Sequence, residues 1–180
     1  MAKRKSTKKY YFSVEGETEQ WYLKWLQGIV NNTEESAYKV SFDCPVQKNP
    51  LKRAKSLVIT GKTEVYHLSD YESDEPIHTQ QFKDVMDNMR KDITPLNRAY
   101  HEHFESMEEY KHEDNFKRCL GNLQLSDVIE AVRRAKAIMK RNQDSDYILH
   151  EYKGYKYYKE NPSLAIWEVI EKIMKDCELQ

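Results

Sequence analysis

The sequence predicts an α/β fold, a parallel sheet flanked by helices and followed by a mostly helical C-terminal part. Three observations carry this prediction. Strand-like and helix-like patterns alternate through the first ninety residues, which is the signature of a parallel sheet with helical crossovers. Two apolar stripes at helical spacing occupy the last sixty residues. Only 5 Gly occur in the whole chain, so no glycine-rich linker divides it.

Taken in order, residues 9–14 (Lys-Tyr-Tyr-Phe-Ser-Val) read as a strand because aromatic and β-branched side chains favour a pleated surface. Thr18 to about Asn31 reads as a helix with Trp21, Leu23, Trp25, Leu26, Ile29 and Val30 on a broad apolar face, and Thr18 as its cap. Residues 37–42 alternate as a second strand. Pro50 opens a helix over Leu51 to Leu57, and Gly61 ends that segment. Residues 64–68 form a third strand, running into the acidic stretch Ser69 to Glu75. Pro76 precedes a further helix, ending between Met89 and Lys91. In the second half, Leu125, Val128, Ile129, Val132, Ala135 and Ile138 repeat at helical spacing. After Asn161-Pro162-Ser163, a helix from Leu164 to Asp176 carries Ile166, Ile170, Ile173 and Met174 on one stripe. The division is a basic tail at 1–8, an α/β core at 9–91, and a helical region at 92–180 packing on that core.

Composition narrows the function. The chain has 180 residues, 29 basic and 30 acidic, for a net charge of −1, so any nucleic-acid site has to be a local patch. Aromatics reach 12% with 13 Tyr, which argues against disorder. Cys44, Cys119 and Cys177 are scattered without CxxC spacing, which fits a reducing, cytoplasmic setting and gives no zinc signature. No apolar run approaches a membrane span. The opening basic tail lacks the apolar region of a signal peptide and reads as solvated. P-loop, GxGxxG and GxSxG motifs are absent, so ATP hydrolysis is not expected of this chain. His101, His103 and His112 carry no metal-ligand spacing and read as ordinary surface or core residues.

The acids carry the chemistry. Glu15, Glu17 and Glu19 follow the first strand, with Gly16 as the turn. Asp70, Glu72 and Asp74 follow the third. Right-handed crossovers bring the C-terminal ends of parallel strands to one edge, where open α/β sheets place their ligands. If the first and third strands are neighbours, Glu15 and Asp70 converge there. Alternating acids leave two carboxylates on one side of an extended segment, so Asp70 and Glu72 suit one cation. Mg²⁺ takes a few carboxylates plus water and phosphate oxygens. Glu17, Glu19, Asp74 and Glu75 read instead as solvated or helix-start charges.

The segment Tyr11-Phe12-Ser13-Val14-Glu15-Gly16-Glu17-Thr18-Glu19 resembles the first motif of Toprim domains, the metal-binding module of primases, topoisomerases and overcoming-lysogenization-defect nucleases. The segment from His67 to Ser73 is similar to the second, acidic motif, with Glu72 where Asp is usual. Lys111 to Arg118 and Tyr155 to Leu164 resemble the C-terminal half of RloB-like proteins, a bacterial Toprim family linked to abortive infection and restriction loci. The resemblance covers nearly the whole chain. It implies a catalytic or metal-binding role for Glu15, Asp70 and Glu72, with Mg²⁺ or Mn²⁺. It also implies a nuclease activity in phage defence and a separately encoded ATPase as partner. Relatives carry a further strand-rich segment where Arg90 to Pro95 bridges directly, so the sheet is expected to be a strand short. The alternative expectation is an inactive nucleic-acid-binding or assembly subunit.

Two basic features bear on a DNA or RNA partner. Arg133, Lys136 and Lys140 share one helix face and suit phosphates, or else form the solvated face opposite the apolar stripe. Tyr152 to Lys159, including Tyr155 and Lys156, interleaves rings with ammoniums, which suits stacked bases and phosphates, or else tyrosines packed on the sheet.

Overall fold

In a computed structural model of the chain, residues 5–58, 64–68, 95–96, 112–144, 150–152, 155–157 and 166–179 are described. Strands β1 (Thr7–Val14), β2 (Lys39–Asp43), β3 (Val65–Leu68) and β4 (Pro95–Leu96) form one sheet in the order β2-β1-β3-β4. All three pairings are parallel, with Tyr10 opposite Phe42, Ser13 opposite His67 and His67 opposite Pro95. Helices α1 (Glu17–Asn32) and α2 (Pro50–Ser56) follow β1 and β2. Beyond β4 come α3 (Glu113–Gly121), α4 (Leu125–Asp144), an antiparallel hairpin of β5 (His150–Tyr152) and β6 (Tyr155–Tyr157), and α5 (Ile166–Asp176). The expected α/β class, with helices dominating the C-terminal part, is what forms.

The core lies on the face of the sheet that carries Tyr10, Phe12 and Val14. These alternate residues meet Val40, Phe42 and Cys44 of the β2 segment and Tyr66 and Leu68 of β3, because side chains two apart share a face. Phe12 is wholly buried, with its ring 5.4 Å from Phe42 and 5.6 Å from Tyr66. Leu23, Leu26 and Val30 of α1, Val128 of α4 and Val169, Ile170, Ile173 and Met174 of α5 close the same cluster. The core therefore joins the expected 9–91 and 92–180 regions. The fourth strand, β4, is two residues long and pairs with the end of β3, Pro95 opposite His67 and Leu96 opposite Leu68.

Among the described residues strand β2 is an edge, and α1 covers it with polar groups. Asn31 donates to the Val40 carbonyl at 2.9 Å and accepts from the Val40 N–H at 2.7 Å. Gln27 accepts from the Phe42 N–H, and Gln20 donates to the Cys44 carbonyl at 2.8 Å. Satisfied in this way, the edge offers little to another strand.

Several local expectations are corrected. Strand β1 starts at Thr7, and the basic tail is engaged at two of its lysines. Lys5 donates to the Glu34 carbonyl at 2.8 Å, past the end of α1, and Lys8 donates to the Asp176 carbonyl at 2.6 Å. The cap of α1 is Gly16, in extended conformation with φ −140°, and Thr18 lies inside the first turn. Gly16 is no tight turn. Its missing side chain leaves room for Glu19, whose carboxylate accepts from the Gly16 N–H at 3.0 Å, as in one half of a capping box. Asn49 caps α2 by accepting from the Lys52 N–H at 2.9 Å, with Pro50 at the first helical position. Gly61, the helix after Pro76 and the Asn161–Ser163 start signal lie outside the described residues.

Candidate functional site

The carboxyl edge of the sheet is organised around the β1–β3 pair. The two strands run parallel in register from Tyr11–Val65 to Val14–Leu68, and the Glu15 N–H extends the ladder by donating to the Leu68 carbonyl at 3.1 Å. With strand order β2-β1-β3, successive right-handed crossovers leave for opposite faces, so the crevice of this sheet lies between β1 and β3. Glu15 stands at that crevice. Its side chain is 32% exposed, and its Oε1 is 3.9 Å from Nζ of Lys48. Glu17 and Glu19 are first-turn acids of α1, as expected, where the helix dipole stabilises them.

The floor behind Glu15 is polar and buried, which the sequence did not advertise. Ser13 is fully buried, and its hydroxyl donates to the Gln47 carbonyl. His67 is 1% exposed, and its Nδ1 lies 3.1 Å from the Ser13 carbonyl, which calls for an Nδ1–H donor and a neutral ring. Burial lowers the His67 pKa to about 4, against a smaller upward pull from that carbonyl. Arg53 of α2 is also buried. Its Nε donates to the Phe12 carbonyl at 3.1 Å, and its Nη2 lies 2.6 Å from Oδ1 of Asp43. Hydropathy assigns Arg to solvent, so this clamp is not legible in the sequence.

Asp70, Glu72 and Asp74 lie outside the described residues. Among the described residues, no three acids, histidines or cysteines gather to hold a metal. Of the expected ligands only Glu15 is among the described residues, one carboxylate where such a cation takes several oxygens. Glu15 offers a partly exposed carboxylate at the sheet crevice, and Mg²⁺ and Mn²⁺ take oxygen ligands of this kind.

The basic face of α4 is largely paired with acids. Arg133 donates to Glu130 at 2.7 and 2.6 Å, and Arg134 lies 3.8 Å from the same carboxylate. Lys136 bonds Glu171 of α5 and sits 5.5 Å above the Trp167 ring. The Arg133 hydrogen bond lowers the pKa of Glu130, and the Lys136 bond lowers that of Glu171. Lys140 is exposed on the same helix. Tyr155 and Lys156 lie on β6, opposite Tyr152 and Glu151 of β5, in a two-stranded sheet separate from the main one. Among the described residues no helix is long and apolar enough to cross a membrane.

No protein-family model, no curated protein and no solved structure matches this chain.

Proposed function

We propose that this chain is an RloB-like, Toprim-type component of bacterial phage defence that cleaves nucleic-acid phosphodiesters with Mg²⁺ or Mn²⁺, working in the cytoplasm beside a separately encoded ATPase. The observation that supports this reading best is the parallel β1–β3 pairing, closed by the Glu15 N–H to Leu68 carbonyl bond. Asp70 is two residues beyond Leu68. Covalent geometry alone limits its Cα to about 7 Å from that of Leu68. In this reading Asp70 and Glu72 are metal ligands, and Glu15 is a ligand or the general acid/base. A divalent cation at such an edge polarises a phosphoryl group and activates water. Glu15 supplies negative charge from a strand whose neighbours fix its backbone on both sides. The buried Ser13, His67 and Arg53 keep that edge rigid, which positioning demands.

The test is cleavage of single- and double-stranded DNA and RNA by purified protein with Mg²⁺ or Mn²⁺. Loss of cleavage in a Glu15→Gln, Asp70→Asn double variant is expected. Equal cleavage by wild type and double variant sinks the reading. Calorimetric titration with Mn²⁺ separates the enzyme from an inactive assembly subunit, which would bind nucleic acid without binding the metal.

A further inference from the structure

We infer that a recess at the amino end of the sheet binds a sugar phosphate, with Lys9 for the phosphate and Glu64 for the hydroxyls. Strand β3 joins β1 only from Tyr11 onwards, opposite Val65, so Thr7 to Tyr10 run past the start of their neighbour. A cavity of about 430 Å³ lies there, lined by Lys8 to Tyr11 of β1, Glu64 just before β3, Tyr66 on it, and Lys172 and Asp176 of α5. That volume is in the range of small-molecule sites, about 300–1,000 Å³. The recess is at the opposite end of β1 from Glu15, about 20 Å away by strand rise, and needs neither a metal nor the carboxyl edge.

Its charges do not cancel, since three ammoniums line it with two carboxylates. Both carboxylates have cationic partners within the wall. Asp176 accepts from the Tyr10 hydroxyl at 2.7 Å and from Lys172 at 3.0 Å, and Lys8 donates to the Asp176 backbone carbonyl at 2.6 Å. Glu64 accepts from the Tyr66 hydroxyl and lies 3.6 Å from Nζ of Lys172. Lys9 is left over. It is exposed, its ammonium sits 4.8 Å from the centre of the Tyr11 ring, and it meets no acid among the described residues. An ammonium brings three donors and no acceptor, so the surplus is the complement of a phosphate. Both Glu64 contacts use Oε2, which leaves Oε1 to accept from a hydroxyl, as carboxylates do from ribose. A bare anion meets repulsion from Glu64, and a cation meets it from Lys9. A phosphate that carries hydroxyls satisfies both. Where the sugar carries a base, the Tyr11 ring offers a face for stacking.

The experiment titrates the full chain calorimetrically, in EDTA, with ribose 5-phosphate, adenosine 5′-monophosphate, ribose and inorganic phosphate. Both sugar phosphates are expected to bind roughly 10-fold or more tighter than ribose or inorganic phosphate. Lys9→Ala should weaken them about 10-fold, with an unchanged urea midpoint to verify the fold. Glu64→Gln should weaken them while leaving inorganic phosphate unaffected. Amide resonances of Lys9, Tyr11, Glu64 and Lys172 should shift on binding, which locates the ligand in the wild-type chain. Tighter binding of the nucleotide, lost in Tyr11→Leu, identifies a nucleotide as the source; equal affinity identifies a free sugar phosphate. Four results overturn the proposal: no binding of either sugar phosphate at about 10 mM, inorganic phosphate bound as tightly, resonance shifts elsewhere, or full affinity in Lys9→Ala.

Discussion

Replacing Arg53 by alanine probes how the edge behind Glu15 is held. Arg53 is the one buried formal charge among the described residues. Its Nε bond to the Phe12 carbonyl is a charge-assisted hydrogen bond, a class that contributes about 1.5–3 kcal/mol. The Asp43 partner is 36% exposed, so water recovers most of that carboxylate's solvation when the guanidinium goes. That half of the clamp is worth no more than about 1 kcal/mol. Loss of the buried stem adds roughly 1 kcal/mol. Arg53→Ala should therefore destabilise the fold by about 2.5–5 kcal/mol. Arg53→Lys should recover about half, because one ammonium cannot serve the carbonyl and the carboxylate in the fork geometry. Urea unfolding followed by circular dichroism reads this as a lowered midpoint at unchanged slope. A loss below about 0.5 kcal/mol, the value of an ordinary surface substitution, would refute the reasoning. So would an Asp43→Asn loss as large as that of Arg53→Ala, since it would place the weight on the ion pair.

Other expectations concern the same framework. Phe12→Ala should destabilise by about 3–5 kcal/mol, since the ring is fully buried between Phe42 and Tyr66; a urea midpoint near wild type contradicts this. Tyr10→Phe removes the 2.7 Å bond from the hydroxyl to Asp176 and should lose about 1 kcal/mol by the same measurement. His67 sets a pH dependence. Its pKa is lowered to about 4 in the fold, so the unfolded chain takes up the proton first. The stability contribution of His67 is thus full above about pH 6.5 and is lost as pH falls towards 4, by about 3 kcal/mol in total. In His67→Gln that acid-side slope should shrink; a slope identical to wild type between pH 6.5 and 4 contradicts a buried neutral imidazole.

Much of the fold was legible because its signals are local. The aromatic run ending at Val14, the alternation through Phe42 and the apolar stripes on α4 and α5 each declare their own period. The β1–β3 neighbourhood was reachable only conditionally, since pairing order is a long-range property. Other features left weaker traces. Helix α3 has just Phe116 and Leu120 buried in a charged run, too narrow a stripe to read. Strand β4 is two residues long, below any periodicity. The cap of α1 was misplaced at Thr18 because a hydroxyl is the usual signal, whereas here Glu19 reaches back to a bare Gly16. Of the candidate site, Glu15 was legible from its place at a strand end. Its surroundings were not. Arg53 and His67 take their places from long-range contacts, Arg53 with the Phe12 carbonyl and Asp43, His67 with the Ser13 carbonyl across the β1–β3 pair, and such contacts leave no mark in composition. The paired state of Arg133 and Lys136 likewise depends on Glu130 and on Glu171 of a neighbouring helix.

The core that joins β1 to α5 has a consequence for synthesis. The Tyr10 hydroxyl bonds Asp176, and the Ala37 N–H bonds the Cys177 carbonyl. Tyr10 and Asp176 are 166 residues apart, so at ordinary translation rates roughly 8–30 s pass between the emergence of β1 and of its cover. Throughout that interval Tyr10, Phe12 and Val14 form an aromatic, β-prone strand without α5. A nascent chain of this design should lean on chaperones to keep that strand from pairing elsewhere. Its folding rate should also be limited by contacts made across nearly the whole sequence.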